Sequence, residues 1–455
     1  MVRWDVMGAT NGTHASCRFH DRRGAPRVTV RSQRLRTLRR AGCRRAPAAE
    51  AHHDAGRTID AQATIELLYI DAGGGHRATA QALEAVVREQ RRPWALHCTS
   101  LTAVLDPGAR FRRLTGVAPE HLYNRALARG RTLGMGLQLK LLQSMVTLSH
   151  GWMRRRLEAH WRRLRPALVV SLVPNFNRAI GAAVTRALPG TPFVTVMTDL
   201  ADLPPHFWIE PGYTQHLVCG SERAVAQALA QGLDPRCIHR SSGMVIHPDF
   251  YPPLAADREL ERVRLGLQPG RPTAVVMFGG QGSDAMLQIE RELPDLQLLL
   301  MCGHNQALAD RLRTSRARAP RAVVGFTDEV CRHLQLGDLF IGKPGPGCLS
   351  EALQVGLPVI TLRDERTLPQ ERYNTEWLLE LGAGRVLRSW QELPSAVAQI
   401  LARYPDYRTA VARVDNRAVF ELPRLLDRIL RTPPEARRDP AAAAVRPLRE
   451  ALHEG

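Results

Sequence analysis

The chain has 455 residues, too long for one ordinary hydrophobic core, so two domains plus extras are expected. Apolar residues make up 44% and charges are scattered among them, which suits a globular protein. A net charge of +19 favours anionic partners, whether nucleic acid, acidic lipid surfaces or phosphorylated substrates, without choosing among them.

No apolar stretch reaches the roughly 18 residues a spanning helix needs. The nearest, Leu141 to Met153, is bounded by Lys140 and by Arg154, Arg155 and Arg156. The N-terminus has no apolar core of a signal peptide. The expectation is a cytoplasmic protein that rests on a membrane at most. Its eight cysteines include no CxxC pair and read as free thiols in a reducing compartment, not as metal ligands.

In chain order, residues 1–63 hold thirteen arginines against five acids with no hydrophobic period, a basic tail without a core. Residues 64–247 read as a first domain. It opens with the strand Ile65 to Ile70, turns through Asp71-Ala72-Gly73-Gly74-Gly75-His76, and continues into a helix marked by Ala80, Leu83, Val86 and Val87. Further strands are expected at 167–172, 192–197 and 217–219, separated by helical segments, hence a parallel α/β sheet.

Residues 110–165 break that alternation. From Leu142 through Met145, Val146, Met153, Leu157, Trp161 and Leu164 the apolar positions recur mostly at steps of three or four, interleaved with arginines. Such a basic amphipathic helix either lies on an anionic membrane surface or packs on a core with its arginines solvated.

The pattern restarts after Pro248-Asp249-Phe250-Tyr251-Pro252-Pro253, a helix-breaking linker. Strands at 273–278, 296–301, 322–324, 339–341 and 358–361 assign residues 248–431 to a second α/β domain. Residues 432–455 form a Pro/Ala/Arg-rich tail. Two such domains imply a ligand cleft between them, at the carboxyl ends of their strands.

Three motifs carry chemistry. In the first, the glycines let the backbone approach a ligand and leave amides free for an anion, and His76 can take a proton from an alcohol near neutral pH or simply cap and pack. The second runs from Phe340 to Leu353, a strand, a Gly/Pro turn at Lys343 to Gly347 and a helix beginning near Cys348. That helix start can receive a diphosphate, and Glu351, in the expected first turn, can either accept from a ribose diol or compensate the dipole. The third is Leu368 to Asn374, where Gln370 and Asn374 share a face if the segment is helical and can read sugar hydroxyls with Glu371.

In order and spacing, GGGHR at 73–77, KPGPG…SEAL at 343–353 and PQExxN at 369–374 resemble the monogalactosyldiacylglycerol synthases and related bacterial diacylglycerol glycosyltransferases. Thr198-Asp199-Leu200, Trp208, Cys219 to Glu222 and Gly325 to Asp328 extend the similarity across residues 65 to 430. The resemblance implies an α/β GT-B fold, two Rossmann-like parallel-sheet domains facing a cleft. It implies an inverting transfer of a hexose, galactose or glucose, from a UDP-sugar to diacylglycerol or a similar lipid, with no metal and no cofactor.

By the same resemblance His76 is the general base. Phe326 and Thr327 hold the uracil and Glu351 the ribose, while Gly280, Gly282, Pro346 and Gly347 line the diphosphate. Gln370, Glu371 and Asn374 lie near the sugar, with Gly74, Gly75, Asp199 and Trp208 on the acceptor side. One departure is Pro204-Pro205-His206, where the family has His-Pro-Thr-Trp, which weakens an acceptor role for His206 and Trp208. The alternative is a UDP-N-acetylglucosamine enzyme of the same fold, a lipid-linked transferase or a 2-epimerase. The anionic membrane surface is the expected partner of segment 110–165, and nothing but net charge suggests nucleic acid.

Overall fold

A computed structural model describes residues 63–71, 74–108 and 135–432. The basic tail, the C-terminal tail, Ala72, Gly73 and the first part of the 110–165 segment lie outside the described residues.

In chain order the first domain runs β1 (Ala63–Tyr69), α1 (Gly75–Glu89), β2 (Trp94–Ser100), α2 (Leu101–Leu105), α3 (Met135–Leu164), β3 (Leu168–Ser171), α4 (Asn177–Ala187), β4 (Phe193–Val196), β5 (Gln215–Cys219), α5 (Glu222–Ala230) and β6 (Ile238–Arg240). The second runs α6 (Arg258–Arg264), β7 (Thr273–Met277), α7 (Ala285–Glu292), β8 (Gln297–Met301), α8 (Gln306–Thr314), β9 (Arg321–Val324), α9 (Val330–Gln335), β10 (Leu339–Gly342), α10 (Pro346–Gln354), β11 (Val359–Leu362), α11 (Arg372–Glu380), β12 (Gly384–Leu387), α12 (Leu393–Ala402) and α13 (Tyr404–Ala412). Helix α14 (Ala418–Arg431) closes the described chain.

The strands form two six-stranded sheets, ordered β2-β1-β3-β4-β5-β6 and β12-β11-β10-β7-β8-β9, with every pairing parallel. This is the two-sheet α/β architecture expected of GT-B. The inner strands are buried on both faces, which is why Val169-Val170, Val275-Val276 and Leu298-Leu299-Leu300 read as unbroken apolar runs.

Strand order also locates the sites. The direction of winding reverses between β1 and β3 in the first sheet and between β7 and β10 in the second. Loops leaving adjacent strands part at such a reversal and open a crevice. The first glycine motif follows β1, the second glycine turn follows β7, and the KPGPG turn follows β10.

Two packing details correct the sequence reading. Helix α14, counted by its position with the second domain, buries Ala418, Val419, Leu422, Leu425, Leu426 and Ile429 against the first sheet and α1. The chain therefore crosses between domains twice. Helix α3 is split along its length: Met153, Leu157 and Trp161 enter the core with α2 and α4, whereas Met145, Leu148 and Trp152 are exposed. The core-packing reading of its apolar face holds for Met153, Leu157 and Trp161, while Met145, Leu148 and Trp152 are left uncovered by the described residues. Among the described residues no helix is long and apolar enough to cross a membrane.

Candidate active site

On the first-domain side, Gly74 adopts φ 86° and caps α1, a conformation that favours glycine, and nothing stands within 4 Å of where its side chain would be. The open turn brings His76 to the crevice beside the loop after β3. Its Nδ1 lies 2.8 Å from Thr198 Oγ1, in the loop after β4, and the Leu172 carbonyl favours a proton on the ring. Burial nevertheless lowers its pKa to about 4, so the imidazole is neutral at physiological pH.

Trp208 stands behind His76, ring centroids 6.2 Å apart, and is fully buried. It does not line a groove, contrary to an acceptor-side contact read from its place in the motif. Its indole Nε1 donates to Asp199 Oδ2 at 3.0 Å, and its backbone N–H donates to Asp202 Oδ1 at 2.8 Å. Asp199 is thus positioned by an aromatic side chain that takes no part at the surface. Burial, opposed by the Trp208 hydrogen bond, pushes its carboxyl up to about 7. Glu371 raises it further and Lys343 lowers it, although both belong to the second domain: the two halves of the crevice meet electrostatically at Asp199. Arg223 also reaches across, its guanidinium 5.9 Å over the Tyr373 ring.

On the second-domain side, α10 begins at Pro346, not near Cys348, with Gly345 as a cap that offers no side-chain acceptor. Proline suits the first helical position, where its missing N–H costs nothing. The helix start keeps its free amides, and nothing lies within 4 Å of the side-chain position of Gly347. The earlier start moves Glu351 out of the first turn, where no acidic residue stands, and removes dipole compensation as its reason for being there. Its carboxyl is instead pushed up to about 7 by burial, a cost that a ligand donor would offset.

Lys343 and Glu371 form an ion pair of 3.1 Å at the base of this turn. Asn374 is fully buried, donates from Nδ2 to the Pro344 carbonyl at 2.8 Å, and keeps Oδ1 unpartnered within the described residues. The motif is not one continuous helix: a 3₁₀ turn at Pro369–Glu371 precedes α11, and half-buried Gln370 stands beside Glu371 and Asn374.

The second glycine turn packs against the loop after β8. A side chain at Gly282, φ 59°, would meet the Cys302 carbonyl at 2.7 Å, so this glycine serves loop packing, while Gly280 stays open. Phe326 is 59% exposed, and its ring stacks on His304 with centroids 4.0 Å apart and planes 16° off parallel. Thr327 Oγ1 accepts from the Glu329 N–H at 3.0 Å, holding the loop that carries Phe326. The site residues that sequence reasoning passed over are Thr198, Lys343 and His304. The first two sit inside motifs it had quoted.

Residues 273–427 match the glycosyltransferase family 28 C-terminal domain. The chain is 28% identical over 408 residues to "Probable monogalactosyldiacylglycerol synthase 2, chloroplastic" of Oryza sativa subsp. indica, covering 85% of this chain and 84% of that protein. It is 27% identical over 391 residues to the monogalactosyldiacylglycerol synthase of Spinacia oleracea, covering 81% and 72%. This chain is a glycosyltransferase, homologous to the monogalactosyldiacylglycerol synthases. Among solved structures the glycosyltransferase is similar to Acinetobacter baumannii MurG, at 13% identity and TM-score 0.47, over 80% of this chain and 99% of that one. The matched family domain contains the KPGPG turn, Glu351, Glu371 and Asn374. The relatives extend the similarity into the first domain, where His76 and Asp199 stand.

Proposed function

We propose that this glycosyltransferase moves a hexose, galactose or glucose, from a UDP-sugar to diacylglycerol or a similar lipid alcohol, inverting the anomeric centre. What carries the reading is the convergence of His76, Thr198 and Asp199 with Lys343, Glu371 and Asn374 across one crevice, Asp199 sensing both Lys343 and Glu371. The names of the relatives supply the sugar and lipid classes.

In this reading the uracil stacks or pairs at Phe326 and Thr327, Glu351 accepts from the ribose, and the free amides at Pro346–Gly347 face the diphosphate. Gln370, Glu371 and the unpartnered Asn374 Oδ1 hold sugar hydroxyls. His76 places its Nδ1 proton toward Thr198 Oγ1, so that Nε2 presents its lone pair to the lipid hydroxyl. The hydroxyl oxygen bonds to the anomeric carbon as the bond to the diphosphate oxygen breaks. Its proton passes to Nε2, and the electron pair leaves with UDP. Preorganised amides stabilise that developing charge. The exposed Met145, Leu148 and Trp152, with Arg156 5.9 Å over the Trp152 ring, would rest on the membrane that holds the acceptor.

The test is His76→Ala. Loss of a general base lowers turnover by about two to four orders of magnitude. UDP affinity, measured by titration calorimetry, should stay within about twofold because the nucleotide sits in the other domain. Turnover at the wild-type level would overturn the assignment.

A further inference from the structure

A second cavity lies away from the crevice, where α14 packs beside the edge strand β6. Its volume is about 560 Å³, within the range of small-molecule sites, and it shares no residue with the catalytic crevice. Arg240 and Ser242 line one wall, Arg424 and Arg428 the other, and Leu422 and Leu425 contribute apolar surface.

The charges around it are out of balance. Arg424 and Arg428 stand one turn apart on α14, and neither has a carboxylate at ion-pair distance among the described residues. Like charges at this spacing destabilise a helix unless something compensates them. Arg240 pairs at 3.2 Å with Glu222, both largely exposed, an arrangement of little strength. The acid within the cavity, Glu421, already accepts the Ser242 N–H at 2.9 Å. Below the rim, His239 stacks on His216 with centroids 5.3 Å apart and a nitrogen–nitrogen distance of 3.1 Å. Burial, His216 and then Arg428 hold His239 down to about 4, so the cavity wall carries a neutral imidazole under a positive field.

The cavity also sits at the seam of the two interdomain crossings. Besides the Ser242–Glu421 bond, the Arg417 N–H donates to Ser242 Oγ at 2.6 Å and Asn416 Nδ2 donates to the Met244 carbonyl at 2.8 Å. A ligand bridging Arg240 to Arg424 and Arg428 therefore ties the outgoing crossing to the returning one.

We propose that this cavity is a second binding site, for a small soluble phosphate-bearing ligand, separate from the crevice and placed to stiffen the interdomain hinge. Guanidinium groups match phosphate oxygens in bidentate fashion, and three around one cavity suit a dianion better than a carboxylate. A soluble source follows from the fold. Helix α14 covers one face of the first sheet with α1, while α3, with its exposed Met145, Leu148 and Trp152, covers the other.

The experiment titrates glycerol 3-phosphate and inorganic phosphate into the full chain and into Arg424→Gln/Arg428→Gln, following heat and the ring signals of ¹⁵N-labelled histidine. His239→Gln assigns the His239 signal. Phosphate should shift that signal toward the protonated form, and the double variant should bind at least about tenfold more weakly while keeping wild-type UDP affinity. Equal phosphate affinity in the variant, or no response of His239, overturns the site. Loss of UDP affinity together with phosphate affinity overturns its separateness from the crevice. Binding to phosphatidylglycerol vesicles that needs these arginines, without binding of either soluble phosphate, overturns the soluble ligand.

Discussion

Replacing Asp199 by Asn keeps the side-chain shape and an oxygen for the Trp208 Nε1–H, but removes the ionisable group. In the folded protein the carboxyl titrates at about 7, against 3.8 when unburied, because burial disfavours its charged form. A raised pKa means the folded state holds a proton that the unfolded state releases. The stabilising share is therefore complete below the unfolded value of 3.8 and lost as pH rises through about 7. Each tenfold step in proton concentration is worth about 1.4 kcal/mol, so roughly 3 kcal/mol should vanish between pH 5 and pH 8. Urea unfolding of wild type and Asp199→Asn at both pH values measures this. Relative to the variant, wild type should lose on the order of 3 kcal/mol from pH 5 to pH 8. A difference independent of pH would show that Asp199 ionises normally and that the Trp208 clamp does not place it in a desolvated crevice.

Glu351→Gln should weaken UDP binding about tenfold, the scale of a hydrogen bond to a charged acceptor, with the fold intact. Unchanged affinity by calorimetry would remove the ribose role. Leu148→Ser/Trp152→Ser should lower sedimentation with anionic vesicles at least about tenfold, since each large apolar side chain contributes roughly 2 kcal/mol when buried. Equal vesicle binding would place the membrane contact elsewhere on the chain.

Much of this architecture was legible in the sequence because fully buried parallel strands leave unbroken apolar runs. Strands β3, β4, β7, β8 and β10 are buried along their whole length and carry that signal, and β1, β5, β9 and β11 were found from shorter apolar stretches. Strands β2, β6 and β12 were not found. Trp94-Ala95-Leu96-His97-Cys98 belongs to an edge strand, Ile238-His239-Arg240 is three residues long, and Gly384-Arg385-Val386-Leu387 hides its short run behind a glycine. Helix α14 shows the same limit at larger scale: its apolar period announces a buried face, but no local pattern says which sheet receives it.

The site was legible as motifs and less so as contacts. Glycines and turns marked the segments on which the structure sets His76, Glu351 and Asn374. Whether Trp208 faces a ligand or the interior depends on the packing of loops far apart in sequence. That packing turned an expected acceptor contact into the support of Asp199. Lys343 was quoted in its motif but not chosen, because only the fold brings it within 3.1 Å of Glu371.

The central claim is glycolipid synthesis, and lipid chemistry tests it most directly. The chain would be expressed in a host that lacks glycolipids, and its lipids extracted and examined by mass spectrometry beside those of a His76→Ala control. The account predicts a hexosyl-diacylglycerol, β-linked, present with the wild-type chain and absent with the control. Unchanged host lipids from cells making the folded wild-type protein, with UDP-N-acetylglucosamine consumed by the purified enzyme instead, would contradict it.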